Sequence, residues 1–240
     1  MAVTRDSGFP VSARDTTANA TDFAGIPTFT TPGTNRFAVA MFILNGGTTN
    51  AIDTCTSGNL TWTRAIGAVD STNNWRVEIW YAWAASVVTN EQIDITYLAS
   101  RSYNRQSVVI WSFDGADSSS AGNTASDVDG DANDPDISIT ATGAGSYLVG
   151  GVPYRSAGGD ITVDGNTTSE YDAGGGGGFG FNERAGSRTS SGAGALTIGY
   201  QGGETFLWLT MAAFEVKQAA GGGGDAVPVA WRQYRGRRVS

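Results

Sequence analysis

Carboxylates are the side chains best placed to do chemistry in this chain. Asp127, Asp129 and Asp131 stand at alternate positions, with Asn133, Asp134 and Asp136 close behind. Carboxylate and amide oxygens at that spacing are the hard ligands Ca²⁺ takes. The stretch is not an EF-hand loop: Ala132 stands where that loop needs glycine, and Ser138 where it needs a bidentate glutamate. A structural calcium site is one candidate here and a solvated acidic turn is the other. Glu78, Glu91 and Asp94 have the residue types glycoside hydrolysis uses, but no E-x-D-x-E or E-x-D-x-x-E spacing accompanies them. Solvated strand faces are the simpler expectation for these three. Trp62, Trp75, Trp80 and Tyr103 would form a stacking platform for a surface glycan if they shared one exposed face, and otherwise belong to a core or an interface.

Several kinds of chemistry are excluded by residue count. Histidine is absent, which removes Ser-His-Asp and Cys-His catalysis and histidine-bearing zinc sites. Lys217 is the only lysine, and no G-x-x-x-x-G-K-[ST] loop exists. The glycine run Gly174 to Gly180 lacks the strand before it and the helix after it that a dinucleotide site needs. Cys55 is the only cysteine, so there is no intrachain disulfide, and a buried small hydrophobe is its expected role. A non-enzymatic protein without a cofactor, a structural Ca²⁺ apart, is the resulting expectation.

These residues must be positioned by strands. Around Asn74 to Gly115, Val77, Ile79, Tyr81 and Trp83 alternate with Arg76, Glu78, Trp80 and Ala82, and Ile93, Ile95 and Tyr97 alternate with polar residues, which predicts two half-buried strands. Ser107 to Phe113, Arg36 to Leu44 and Thr205 to Val216 are apolar on both parities, as strands covered on both faces are. Leu60 to Val69 and Ala195 to Tyr200 read as further strands. Asp136 to Thr142 and Ser146 to Val152 read as a hairpin about Gly143-Ala144-Gly145. Residues 153–194 carry little period and are expected to be loops with one or two short strands.

The domain plan follows from these elements. Residues 1–35, polar and dotted with Pro10, Pro27 and Pro32, are expected to be an extended arm with an edge strand near 24–30. Residues 36–217 are expected to form the β-sandwich, 218–225 a glycine-rich linker, and 226–240 an arginine-rich docking peptide, with a disordered basic tail as the other reading of that segment. Trp231, Arg232, Tyr234, Arg235, Arg237 and Arg238 supply that peptide with anchoring residue types. Its four arginines leave about −12 on the rest of a chain whose net charge is −8. An acidic body argues against nucleic-acid binding. Met1 to Asp6 shows no secretory signal, and no apolar run is long enough to cross a membrane, so neither export by a signal nor membrane insertion is expected.

The succession L-T-W-T-R (60–64), V-E-I-W-Y-A (77–82), I-D-I-T (93–96) and S-V-V-I-W-S-F-D-G (107–115) after a two-faced opening strand resembles a loosely defined family of phage and bacterial surface β-sandwich proteins. The resemblance covers about residues 36–216. It implies an all-β, antiparallel two-sheet sandwich with jelly-roll or lectin-like connections, and an adhesive or structural role in a phage virion. Decoration or cementing of the head is the first expectation and a tail or fibre module the second. The partners would be other virion proteins and further copies of the chain, in a homo-oligomer. The family offers no catalytic residues to carry over. A carbohydrate-binding module is the competing class.

Overall fold

The structure is a computed structural model, which describes residues 2–16, 22–23, 25–46, 52–98, 105–118, 121–129, 136–156, 161–173, 181–201 and 206–220. The first half of the chain forms β1 (Thr4–Arg5), β2 (Val11–Asp15), β3 (Arg36–Asn45), β4 (Ile52–Ser57), β5 (Thr63–Asp70), β6 (Trp75–Ala84), β7 (Ile93–Tyr97) and β8 (Arg105–Asp114). The second forms β9 (Thr124–Asp129), β10 (Asp136–Ala141), β11 (Tyr147–Ser156), β12 (Thr162–Val163), β13 (Thr168–Asp172), β14 (Phe181–Thr189), β15 (Gly194–Gln201) and β16 (Phe206–Val216). All pairings are antiparallel, and no helix occurs among the described residues.

Among the described residues the strands make four sheets rather than two. One central sheet has the order β1-β8-β3-β6-β5, with β2 also on β8, and the other has the order β13-β14-β11-β16-β9. Two smaller sheets, β4-β7 and β10-β15-β12, cover their outer faces. Three apolar cores fill the gaps. Phe42, Trp80, Val108 and Ile110 pack beneath β4-β7, together with Ile52, Cys55 and Ile93. Met41, Trp75, Trp111 and Phe113 face Val149, Phe214 and Val216 across the central gap. Leu148, Met211 and Ala213 meet Ile139, Ile198 and Tyr200 under the other outer sheet. A sandwich layer with cover on both sides explains why Arg36–Asn45 and Arg105–Asp114 are apolar on both parities.

The two halves follow the same course. In each, the central-sheet order is β2-β8-β3-β6-β5 or its counterpart β9-β16-β11-β14-β13, and β4-β7 corresponds to β12-β15. The counterpart of β10 in the first half is reduced to one bridge, Phe29 to Glu91. Edge β5 packs on β9 and β16, while β1 and β2 reach β13 and β14 through Arg5–Glu170 and Arg14–Glu183. Opposite edges therefore lie over each other, as an approximate twofold axis along the strands produces. The gap is tight at its centre: a Cβ on Gly151 would lie 2.5 Å from Met41 Sδ.

Local chemistry fixes the register. In the β5–β6 hairpin, Asp70 Oδ1 accepts from the backbone of Thr72 and Asn73 at 2.9 and 3.1 Å, and Asn74 takes the left-handed conformation at φ 60°. Asp70 thereby faces Trp75 and sets the pairs as far as Ile66–Ile79, beyond which the register shifts before Arg64 pairs with Trp80.

Four sequence expectations need correction. Residues 4–15 are built into the sheet edge beside β8 instead of forming a separate arm, and among the described residues near 24–30 only the Phe29 bridge forms. Asp136–Ala141 and Tyr147–Ser156 do not pair with each other: β10 joins β15, and β11 joins β14 and β16. The connection between them crosses from an outer sheet to a central one. Residues 153–194 hold the nine-residue strand β14. Finally, β6 is covered on both faces, because the β4-β7 sheet lies over Arg76, Glu78, Trp80 and Ala82.

Candidate functional site

The acidic stretch is divided between two strands. Asp127 and Asp129 belong to β9, which pairs with β16, and Asp136 opens β10 in the outer sheet. Asp127 is exposed, and its Oδ1 accepts from the backbone of Val128 at 2.8 Å. Asp131, Asn133 and Asp134 lie outside the described residues. Among the described residues no three His, Cys, Asp or Glu side chains are grouped as ion ligands.

The tryptophans go inward. Trp75 is fully buried in the central core, and Trp62 and Trp80 are 7% exposed beneath the β4-β7 sheet. Their nitrogens bond internally where shown: Trp62 Nε1 to Ser57 at 3.0 Å and Trp80 Nε1 to Glu78 at 3.2 Å. Three of the four residues suggested for glycan stacking therefore offer no open ring face. The hydrophobic gain from burying an indole outweighs its polar nitrogen once that nitrogen has an acceptor. Tyr103 and the peptide residues Trp231, Arg232, Tyr234, Arg235, Arg237 and Arg238 lie outside the described residues.

Of the three acids weighed for hydrolysis, Asp94 is exposed on β7 and the other two are buried. Glu78, expected on a wet face, is inaccessible. Its carboxylate sits 3.1 Å from Arg76 Nη1 and 3.4 Å from Arg64 Nε, and also accepts from Trp80 and the backbone of Ile52. Nearby, burial, and secondarily the charge of Glu78, pushes the Cys55 thiol far above its ordinary value. Glu91 organises the 57–60 turn, accepting from Asn59 N at 2.6 Å and Asn59 Nδ2 at 2.7 Å. Burial opposes its charge, but the hydrogen bonds from Asn59, Ser57 and Leu60 outweigh it and hold the carboxyl below the usual range.

A second set of buried carboxylates, which the sequence reading missed, runs along the seam where β1 and β2 meet β13 and β14. Glu183 Oε2 accepts from Ser107 at 2.5 Å and lies 3.1 Å from Arg14 Nε, and Tyr171 donates to Ser107 at 3.1 Å. Its other oxygen, Oε1, has no partner among the described residues. Burial raises the Glu183 pKa above the carboxylate norm, against the pull of Arg14, Ser107 and Arg105. Further along, Glu170 takes hydrogen bonds from Arg5, Ser187 and Tyr147. Each acid is enclosed by the partners it ties together, so the seam joins the N-terminal strands to the second half.

The two described ends of the chain converge. Val3 N donates to Gly145 O at 2.8 Å, Asp117 N donates to Lys217 O at 2.8 Å, and Ala219 N donates to Gly115 O at 3.0 Å. A cleft of about 270 Å³ lies there, lined by Asp117, Thr142, Ser146, Lys217 and Gln218 among others. Lys217 Nζ stands 3.8 Å from Asp117, and the buried Ser146 hydroxyl has no partner among the described residues. This pole gathers the start of β11 and the ends of β8, β14 and β16.

No family model, curated protein or solved structure matches this chain. The fold and the site stand on their own geometry.

Proposed function

We propose that this chain is a non-enzymatic structural protein of a phage particle, first as decoration or cement of the head and second as a tail or fibre module. The observation that carries the reading is the convergence of residues 2–3 and 217–220 on the 142–146 turn. Whatever follows Ala220 leaves an acidic, three-core body at a single pole. The following peptide carries Trp231, Tyr234 and four arginines. Guanidinium groups pair with carboxylates in fixed geometry and aromatic side chains anchor interfaces, so this peptide suits an acidic partner surface, including the body of another copy.

In this reading each half is a jelly-roll in which one strand, β5 or β13, pairs with the central sheet. The support is the repeated order of eight consecutive strand positions over two sheets. Calcium belongs to the proposal at Asp127, Asp129, Asp131, Asn133, Asp134 and Asp136, where it would tie β9 to β10; a rise in Tm on adding Ca²⁺, reversed by chelator, is the expected sign. The glycan-binding alternative needs a surface other than Trp62, Trp75 and Trp80. Immunogold labelling of virions from the host that carries this gene tests the main reading. Regular label on heads is expected, label on tails selects the second role, and unlabelled particles overturn both.

A further inference from the structure

The geometry points to a binding site for a short neutral saccharide in the cleft between the 57–60 turn and the β6–β7 loop. The cleft holds about 540 Å³ and is lined by Asn59, Leu60, Trp83, Ser86, Val87 and Thr89 with the intervening loop residues. That volume falls within the roughly 300–1,000 Å³ of small-molecule sites.

The duplicated fold provides an internal comparison. Between Ala84 and Ile93 the first half spends residues 85–92, whereas the second half joins Thr189 to Gly194 through residues 190–193 alone. The topology closes without the longer loop. Extra loop length beyond what a fold needs is where binding function concentrates.

The loop is also held rigid. Val88 N donates to Thr31 Oγ1 at 3.1 Å, Thr31 N donates to Val88 O at 3.0 Å, and Asn90 N donates to Thr30 Oγ1 at 3.0 Å. Glu91 clamps the opposite wall through both Asn59 bonds, leaving the Asn59 amide oxygen as an acceptor. A wall fixed before binding loses little entropy when a ligand arrives.

The lining selects the ligand class. Among the described residues no charged side chain lines the cleft, which disfavours ionic ligands. The half-buried Trp83 and the 49% exposed Val87 supply apolar surface, and Asn59, Ser86 and Thr89 supply an amide and two hydroxyls. Apolar C–H faces rimmed by hydroxyls are what a neutral sugar ring presents to such a mixture. The proposal does not depend on the tail-mediated assembly proposed above.

Saturation-transfer NMR of the full chain with neutral trisaccharides of glucose, mannose, galactose and N-acetylglucosamine tests it. At least one is expected to bind in the millimolar range or tighter. Val87→Asp, on an exposed loop, is expected to weaken that binding at least about tenfold without shifting Tm, and Thr89→Ala to weaken it severalfold. Absence of transfer to all four overturns the proposal. Binding undiminished in both variants also overturns it, by placing the sugar elsewhere. Light scattering of the same samples reads assembly separately, so either proposal can fail alone.

Discussion

Replacing Phe214 with alanine tests whether the two halves share one core. Phe214 belongs to β16 in the second half, yet its ring stacks on Tyr81 at 5.6 Å and on Phe37 at 6.1 Å, both from the first half. Tyr81 and Phe37 stack in turn at 5.4 Å, so the three rings form one triangular cluster across the central gap. Phe214 is fully buried. Truncating a core phenylalanine costs about 3–5 kcal/mol, and each of the two lost ring pairs about 0.5–1.5 kcal/mol more, so a loss of about 4–8 kcal/mol is expected. Against a total stability of roughly 5–15 kcal/mol, that is a large fraction. The assay is urea unfolding followed by tryptophan fluorescence, because Trp75 and Trp111 sit in the same core on first-half strands. Their transition should move although the substitution is in the other half. An unchanged tryptophan transition, or a loss under about 1 kcal/mol, would refute the shared core.

Other consequences follow from the same geometry. Gly151→Val should destabilise by about 1–3 kcal/mol in thermal unfolding, because its Cβ meets Met41 across the gap and the backbone oxygen of Arg184 on the neighbouring strand; an unchanged Tm would contradict that close approach. Glu183 has a raised pKa, so the folded state holds its proton more tightly than the unfolded chain does. Its contribution is complete at acid pH and is lost as pH rises through the folded value. Glu183→Gln should therefore gain on the wild type as pH rises from about 4 to 8, and parallel Tm profiles would contradict this. Cys55, buried and with its pKa raised, should stay silent to a thiol reagent until the chain unfolds; rapid labelling of native protein would place it at the surface.

The sequence revealed strands best where both faces are apolar. Arg36–Asn45 and Arg105–Asp114 read correctly because burial on two sides leaves one signature at every position. β14 was invisible for the opposite reason. Asn182, Glu183, Arg184 and Ser187 are buried there, with Glu183 paired to Arg14 and Ser187 bonded to Tyr147, both far away in sequence, and a polar run gives no strand period. The internal duplication was equally hidden, since RFAVAMFILN and YLVGGVPYRS occupy matching positions with no common motif. Pairing is non-local as well: β10 and β11 are neighbours in sequence and belong to different sheets. Among candidate site residues, Trp62, Trp75 and Trp80 showed their type but not their direction. The β6–β7 cleft depends on Thr30 and Thr31 reaching a loop some sixty residues later, which no local pattern encodes.

Light scattering of the full chain beside a version ending at Ala220 tests the proposed assembly role most directly. Ala220 is the right end point because Ala219 still bonds to Gly115. The account predicts that the full chain forms a defined oligomer, weakened by high salt as arginine–carboxylate pairs are, and that the shortened chain is a folded monomer with the same Tm. Identical masses for the two, at low and high salt, would contradict assembly through the C-terminal peptide.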